Sequence, residues 1–363
     1  MTQPADYQQQ LNDKINYIKA LFSSVPTPEL EVFASPAKHY RMRAEFRVWH
    51  EGDEMFYAMF EAGRKAGGAT LVRCDSFDPA CEAINRLMPQ LMQAADSVPV
   101  LKNRWYQVEF LATLSGEMLV TMIYHKKLDE TWQAAARDVQ EKLGIRIIGR
   151  SKGQKIVLVE DFVTETLHVN GEPFIYRQYE GSFTQPNAQM CEHMLAWACN
   201  VAQPLGGDML ELYCGNGNFT LPLARYFDQV LATEVSKTSV QAALWNIEAN
   251  LSSNVKIARL SAEEFTEAYT GAREFRRLKE QGISLDDYRF STIFVDPPRA
   301  GIDQETLKLV QQFENIIYIS CNPETLHQNL EVLSATHHVR RMALFDQFPF
   351  THHIESGVWL EKK

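Results

Sequence analysis

Hydrophobic positions along the chain follow two rhythms, and the change comes near residue 183. Tyr7, Leu11, Ile15, Ile18, Leu21 and Phe22 recur at steps of three and four, which predicts an amphipathic helix over residues 7–22. From about 40 to 180 the pattern is mainly that of strands, with β-rich or alternating runs at 40–49, 55–60, 105–114 and 117–124. Ser115-Gly116 reads as the turn of a hairpin joining the last two, and helical patterns interrupt the run near 78–95 and 128–143. After Phe183 the order becomes strand, glycine turn, helix: a strand at 208–213, a turn at Gly215–Gly217 and a helix from about Asn218. Further strands at 229–234, 254–258, 291–296 and 315–320 alternate with helical stretches, the layout of a parallel sheet covered on both faces. The expectation is an α/β protein of two domains. Residues 1–180 form an α+β, β-rich domain, and residues 181–363 a doubly wound, Rossmann-like domain.

Composition adds constraints. A length of 363 residues suits two cores rather than one. No apolar run approaches the roughly 18 residues of a membrane span, and MTQPADYQQQ lacks the basic-then-apolar layout of a signal peptide, so a cytoplasmic location without membrane contact is expected. Six scattered cysteines with no CxxC point to free thiols, with neither disulfide nor zinc site. A net charge of −10 argues against a nucleic-acid partner. The acidity is uneven, however: about −3 over residues 1–180 and about −7 over the rest. Lys38, Arg41, Arg43 and Arg47 lie among His39, Tyr40 and Phe46, and a second basic cluster comprises Arg146, Arg150, Lys152 and Lys155. Cations interleaved with flat rings suit RNA, and a solvated strand face is the alternative. The charged segment 271–287 is either a solvated helix or an RNA-facing one.

The segment LELYCGNGNFT (210–220) carries a strand into a glycine turn, and Glu234 ends the next strand 19 residues after Gly215. An acid so placed can bind ribose hydroxyls, which turns an otherwise ordinary tight turn into a candidate nucleotide-type site. Thr220 breaks the dinucleotide pattern GxGxxG, and the smaller turn with Glu211 at its head fits S-adenosylmethionine better. Cys214 reads as a small buried side chain.

Two more strands end on unusual residues, Asp296-Pro297-Pro298-Arg299 and Ser320-Cys321-Asn322-Pro323. In an open α/β sheet the carboxyl ends of strands face one crevice, which places Cys321 beside the cofactor turn. An isolated cysteine is more often a small strand-end residue; the SCNP setting favours chemistry. Uracil C5 is a poor nucleophile, but a thiolate adding to C6 pushes electron density onto C5, which then accepts a methyl group. A base must remove the C5 proton, and Glu355 in THHIESG is the available candidate. His352 and His353 on a strand would point to opposite faces and so hold no metal.

Taken together, YRMRAEFR (40–47), YHKKLD (124–129), SFTQPNA (182–188), LELYCGNGNF (210–219), IFVDPPR (293–299), YISCNPETL (318–326) and FDQFP with THH and Glu355 (345–355) resemble the tRNA (uracil-5-)-methyltransferases of the RNA m5U methyltransferase family. The resemblance spans nearly the whole chain. It implies transfer of a methyl group from S-adenosylmethionine to C5 of the T-loop uridine, position 54, of tRNA, with other RNAs bearing a T-like loop as further partners and no obligate protein partner. Cys321 would be the nucleophile and Glu355 the proton acceptor. Gln185, Tyr213, Asn218, Glu234 and Asp296 would surround the cofactor, although Gln185 is equally suited to the uracil edge. Related enzymes acting on ribosomal RNA often carry an iron–sulfur cluster on four cysteines. Cys74 and Cys81 alone precede residue 181, so no cluster is expected. Three rival readings are ribosomal RNA as substrate, direct methylation of an exocyclic amine, which needs no cysteine, and an RNA-folding helper for which methylation is secondary.

Overall fold

The computed structural model describes residues 4–61 and 63–363. Chain contacts divide it into two compact units, one of residues 1–37, 167–177 and 189–363, the other of residues 38–166 and 178–188. These boundaries differ from a single cut after residue 180. The opening helix Pro4–Leu21 and the residue after it bury Leu11, Ile18 and Phe22 in the core that also holds Leu326, Leu330 and Leu333, and Leu30–Phe33 pairs in parallel with His337–Phe345.

The first unit is built on eight strands in the order Leu30–Phe33, His337–Phe345, Glu355–Lys362, Asn315–Ser320, Phe290–Val295, Asp208–Leu212, Gln229–Thr233, Val255–Ala258. All pair in parallel except Glu355–Lys362, which runs antiparallel to both neighbours. The central strands Asp208–Leu212 and Asn315–Ser320 are buried almost throughout, as near-continuous apolar runs require when helices cover both faces. Helix starts follow local chemistry. Ser236 caps Lys237–Ala249, Ser261 and Glu264 form a capping box for Ala262–Tyr269, and Asp303 caps Gln304–Val310. Within the charged segment 271–287, Arg273, Arg276, Arg277 and Lys279 pair with Glu267, Glu280, Glu264 and Glu274. Its cations are spent on nearby acids, which favours the solvated reading over the RNA-facing one. No helix among the described residues is long and apolar enough to cross a membrane.

The second unit has seven strands in the order Leu71–Arg73, Glu54–Phe60, Arg43–Glu51, Trp105–Ala112, Met118–Tyr124, Arg146–Ser151, Gln154–Val157. The Ser115-Gly116 turn is present, with the Thr113 amide donating to the Glu117 carbonyl at 3.0 Å. Met118–Tyr124 and Arg146–Ser151 pair in parallel, and helix Glu130–Leu143 makes the crossover, capped by Asp129 and ended by the left-handed Gly144. A ribbon of Phe162–Val169 and Glu172–Tyr179 carries the chain between the units.

Trp132 is fully buried, and Gly149 in strand Arg146–Ser151 makes room for it: a Cβ there would lie 2.3 Å from Cζ-ring atom Cη2 of Trp132 and 2.7 Å from Leu128. Both neighbours are buried, so neither side chain can swing clear. Gly149→Ala should therefore cost about 1–3 kcal/mol by overpacking. It should lower the melting temperature of the second unit's transition in calorimetry; an unchanged melting profile would show that the Trp132 site can relax.

Candidate active site

Strand Asp208–Leu212 runs into a turn whose backbone is left-handed at Tyr213 (φ 63°), Gly215 (φ 57°) and Gly217 (φ 84°). At Gly215 nothing lies within 4 Å of where a Cβ would be, so the turn presents bare backbone to open space. Tyr213, with a side chain, pays a conformational cost for the same geometry, as residues at ligand sites often do. Glu234 accepts the Gly215 amide at 3.0 Å on Oε2 and the Ser236 amide at 2.7 Å on Oε1. A carboxylate has about four acceptor sites, so two remain for ribose hydroxyls. The helix after the turn is shorter than its sequence pattern predicts, only Thr220–Leu223 before a 3-10 turn at Ala224–Tyr226.

Asn246, fully buried, secures the turn by donating to the Asn216 carbonyl at 2.8 Å and accepting the Arg177 amide at 2.8 Å. Asn218 ties the turn to neighbouring segments: its Nδ2 donates to Cys191 Sγ at 3.3 Å, and its carbonyl accepts the Tyr176 hydroxyl at 3.0 Å. Glu211 is buried, with Oε2 lacking any hydrogen-bond partner among the described residues. Burial, reinforced by Asp296, pushes its carboxyl up to about 8. An unspent buried oxygen beside bare backbone and a ribose-type acid fits a ligand with a nucleoside and a hydrogen-bond-donating cation. Gln185 belongs to the second unit. Its segment is pinned there by Arg43 Nη1 donating to the Ser182 carbonyl and by the Met42 amide donating to the Pro186 carbonyl, both at 2.7 Å.

Three strand ends carry the candidate reactive groups. Val295 pairs with Tyr318, so Asp296 follows directly at the end of its strand. Strands Asn315–Ser320 and Glu355–Lys362 are antiparallel with Ile319 opposite Gly357 and Ser320 opposite Ser356. Continuing that register by one residue sets Cys321 across from Glu355, where cross-strand Cβ atoms lie about 4.5–5.5 Å apart. Asn322 locks the turn. Its Nδ2 donates to the Arg299 carbonyl at 3.1 Å, tying it to the Asp-Pro-Pro-Arg loop, and its Oδ1 accepts the Glu324 amide at 3.1 Å as cap of helix Pro323–Leu333.

Electrostatics follow from burial. Removal from water, then the charges of Glu355 and Asp296, push the Cys321 thiol up to about 11. Burial raises Glu355 well above the usual carboxyl range, with Asp296 adding to it, and burial raises Asp296 as well. Burial and the presence of a second acid both favour the protonated forms of this pair.

Cys321, Asn322, Arg299 and residues 350–354 line a cavity of about 570 Å³, with Gln10, Asp13, Lys14 and Tyr17 of the opening helix on its other side. Sequence periodicity marked that helix only as amphipathic. The helical spacing of 10, 13, 14 and 17 was visible, but not that this face lines a cavity or that Lys14 is buried in it. His352 and His353 lie in the loop before Glu355, not on a strand, and their rings sit 4.2 Å apart rather than on opposite faces. Among the described residues no cluster of potential metal ligands forms.

The family model described as tRNA (Uracil-5-)-methyltransferase matches residues 6–363. Curated relatives named tRNA/tmRNA (uracil-C(5))-methyltransferase include one from Neisseria meningitidis serogroup B, 71% identical over 358 residues and covering 99% of both chains. Another, from Acinetobacter baylyi, is 58% identical over 355 residues, covering 98% of both. Among solved structures, the Pyrococcus abyssi tRNA (uracil-54, C5)-methyltransferase in complex with S-adenosyl-L-homocysteine shares the fold, with a TM-score of 0.72 at 20% identity over 98% of this chain and 83% of that one. With a glycine turn, a strand-end cysteine and an acid in register across from it, the chain belongs to the tRNA (uracil-5-)-methyltransferase family.

Proposed function

We propose that this enzyme methylates C5 of the T-loop uridine, position 54, of tRNA through a covalent bond from Cys321 to C6, with Glu355 as the base. The observation that carries this reading is the strand register that sets Cys321 across from Glu355 beside Asp296. S-adenosylmethionine is the methyl donor, and it supplies both the methyl group and a positive charge. The residues that would hold it are Glu211, Tyr213, the Gly215 backbone, Glu234 and Asp296. Asn218, in the same turn, completes the set. The name of the curated relatives and the uracil-54 specificity of the Pyrococcus abyssi enzyme support the choice of RNA and position.

The residues act in sequence. The Cys321 thiol gives its proton to solvent and the thiolate adds to C6, which raises electron density at C5. After C5 has gained the methyl group, Glu355 takes the C5 proton, and the electron pair of that C–H bond re-forms C5=C6 as the sulfur–carbon bond breaks. Cys321 thiolate is released and 5-methyluridine leaves. The target base must be turned out of the folded loop to enter the cavity, as base-modifying enzymes require.

In the second unit, the 38–47 segment contributes less to RNA than its charge suggested. Lys38 pairs with Asp78, Arg41 Nε donates to the Arg43 carbonyl, and Arg43 holds the Ser182 carbonyl. Arg146, Arg150 and Lys155 pair with Glu117, Glu180 and Asp161. Arg47 differs: its guanidinium lies 3.5 Å from the centre of the Tyr106 ring, which stacks on His125 at 3.7 Å, and its buried Nη1 has no hydrogen-bond partner among the described residues. A neighbouring cavity is lined by His125, Lys126, Lys127 and Lys152. Flat rings beside lysines make this the RNA-facing surface of the unit.

Four results are expected. Cys321→Ala should lose turnover and form no covalent RNA complex on denaturing gels; retained turnover would return the amine mechanism. Glu355→Gln should slow turnover by about 10²–10⁴ and trap the methylated adduct with ordinary uridine. In ligand-free enzyme, alkylation of Cys321 by iodoacetamide, followed by peptide mass spectrometry, should climb through pH 9, with its half-maximum near pH 11. The raised pKa keeps the thiol protonated below that, so a plateau near pH 7 would contradict the proposed burial. Tyr106→Ala should weaken tRNA binding by about 1–3 kcal/mol, and Lys152→Ala should reduce its salt slope by about 1. Unchanged affinity and slope in filter binding would remove this surface from the RNA.

A further inference from the structure

We infer that the buried ion pair between Lys14 and Asp346 is a positioning device for proton abstraction, holding the 346–354 connection, and through it Glu355, in register with Cys321. The inference rests on the reading of Glu355 as the base. Lys14 and Asp346 are 5% and 0% exposed, and Lys14 Nζ lies 2.7 Å from Asp346 Oδ1. Nζ also donates to the Phe348 carbonyl at 2.9 Å. The Tyr7 hydroxyl donates to Asp346 Oδ2 at 2.8 Å and accepts the Ser35 amide at 2.8 Å. One turn away, Gln10 Nε2 donates to the Thr351 carbonyl at 2.7 Å and Gln10 Oε1 accepts the Phe350 amide at 3.3 Å. Positions 7, 10 and 14 form one face of the opening helix, and together they hold residues 346, 348, 350 and 351 of the connection.

Stability does not explain this arrangement. Desolvation of a buried pair about cancels its attraction, and apolar residues of similar size do as well. What charges add is direction, because each oxygen of Asp346 and two of the three Lys14 donors have assigned partners. The connection needs such direction. Phe350 is held in the left-handed region (φ 60°), which a non-glycine residue adopts at a cost. Residues 350–354 then form one wall of the cavity beside Cys321, and Glu355 follows immediately. Methyl acceptance at C5 depends on Cys321, whereas the later proton transfer depends on where Glu355 sits. A loosened connection should therefore slow the later step selectively.

The test uses the full-length enzyme with S-adenosylmethionine and unmodified tRNA, comparing wild type, K14M, K14M/D346N and E355Q. The double variant removes both charges and avoids leaving one buried alone. Expected for K14M/D346N are a melting temperature within a few degrees of wild type and a KM for tRNA within about twofold. Its kcat should fall about tenfold or more, with methylated covalent RNA complex accumulating as in E355Q. Amides of residues 346–354 should exchange with solvent about tenfold faster. If E355Q traps adduct but K14M/D346N does not, the inference is overturned and the base assignment stands. If E355Q traps none, the base assignment fails, whatever the exchange of the connection shows. A raised KM at unchanged kcat would make Lys14 a substrate contact, and loss of fold in both Lys14 variants would make the pair merely structural; either overturns the inference.

Discussion

One antiparallel strand governs the active site. The sheet of the first unit is otherwise parallel, and parallel strands send their carboxyl ends to one edge, so Asp208–Leu212, Phe290–Val295 and Asn315–Ser320 deliver the glycine turn, Asp296 and Cys321 there. Glu355–Lys362 runs the other way, between Asn315–Ser320 and His337–Phe345, so its amino end reaches the same edge. A parallel strand in that place would bring its last residue instead. Reversal is what allows an acid at the start of the last strand to meet a cysteine at the end of its neighbour, and the register then fixes which residues meet. A slip of one residue would turn Glu355 to the opposite face of the sheet.

The surrounding elements preserve that register. Asn322 ties the cysteine turn to the Arg299 carbonyl and caps the next helix, so two of the three strand ends are joined by one side chain. Glu234 and Asn246 do the same for the glycine turn, each bridging backbone groups from different segments. In each case one polar side chain satisfies amides or carbonyls that the turn itself leaves open, which keeps the backbone bare toward the crevice without leaving its own groups unpaired.

The sequence made much of this legible. The 210–220 turn, the Asp296 and Cys321 strand ends and most strands were readable because each has a local signature: a run of apolar residues ended by glycine, proline or asparagine. Three features had none. Leu30–Phe33 is a four-residue edge strand, defined by its pairing with Met342–Phe345 rather than by its own pattern. The antiparallel placement of Glu355–Lys362 is a property of topology, and periodicity does not encode strand order. Arg41 and Arg43 looked available because charge is visible in sequence, whereas their hydrogen bonds to the Arg43 and Ser182 carbonyls are not. His352 and His353 were misplaced for a related reason: alternation was assumed for a strand where the chain makes a bend.

Burial also resolves part of the conflict between an acidic chain and an anionic substrate. A formal charge of −10 counts every carboxyl as ionised, yet Glu211, Asp296 and Glu355 are all shifted upward by burial, so that count overstates the negative charge of the crevice. Proton binding and cation binding at such a site are linked: a positive ligand that favours the ionised carboxyls must release their protons as it enters, and its affinity must rise with pH across the range in which they titrate. Burial first, then Glu355 and Asp296, push the Cys321 thiol up to about 11, and the same positive charge would oppose the acids' part and so ease its ionisation. Buried acids around one thiol therefore make the ionisation of that thiol depend on what else occupies the crevice: without a cation both burial and the acids oppose it, and with one the acids' part is offset.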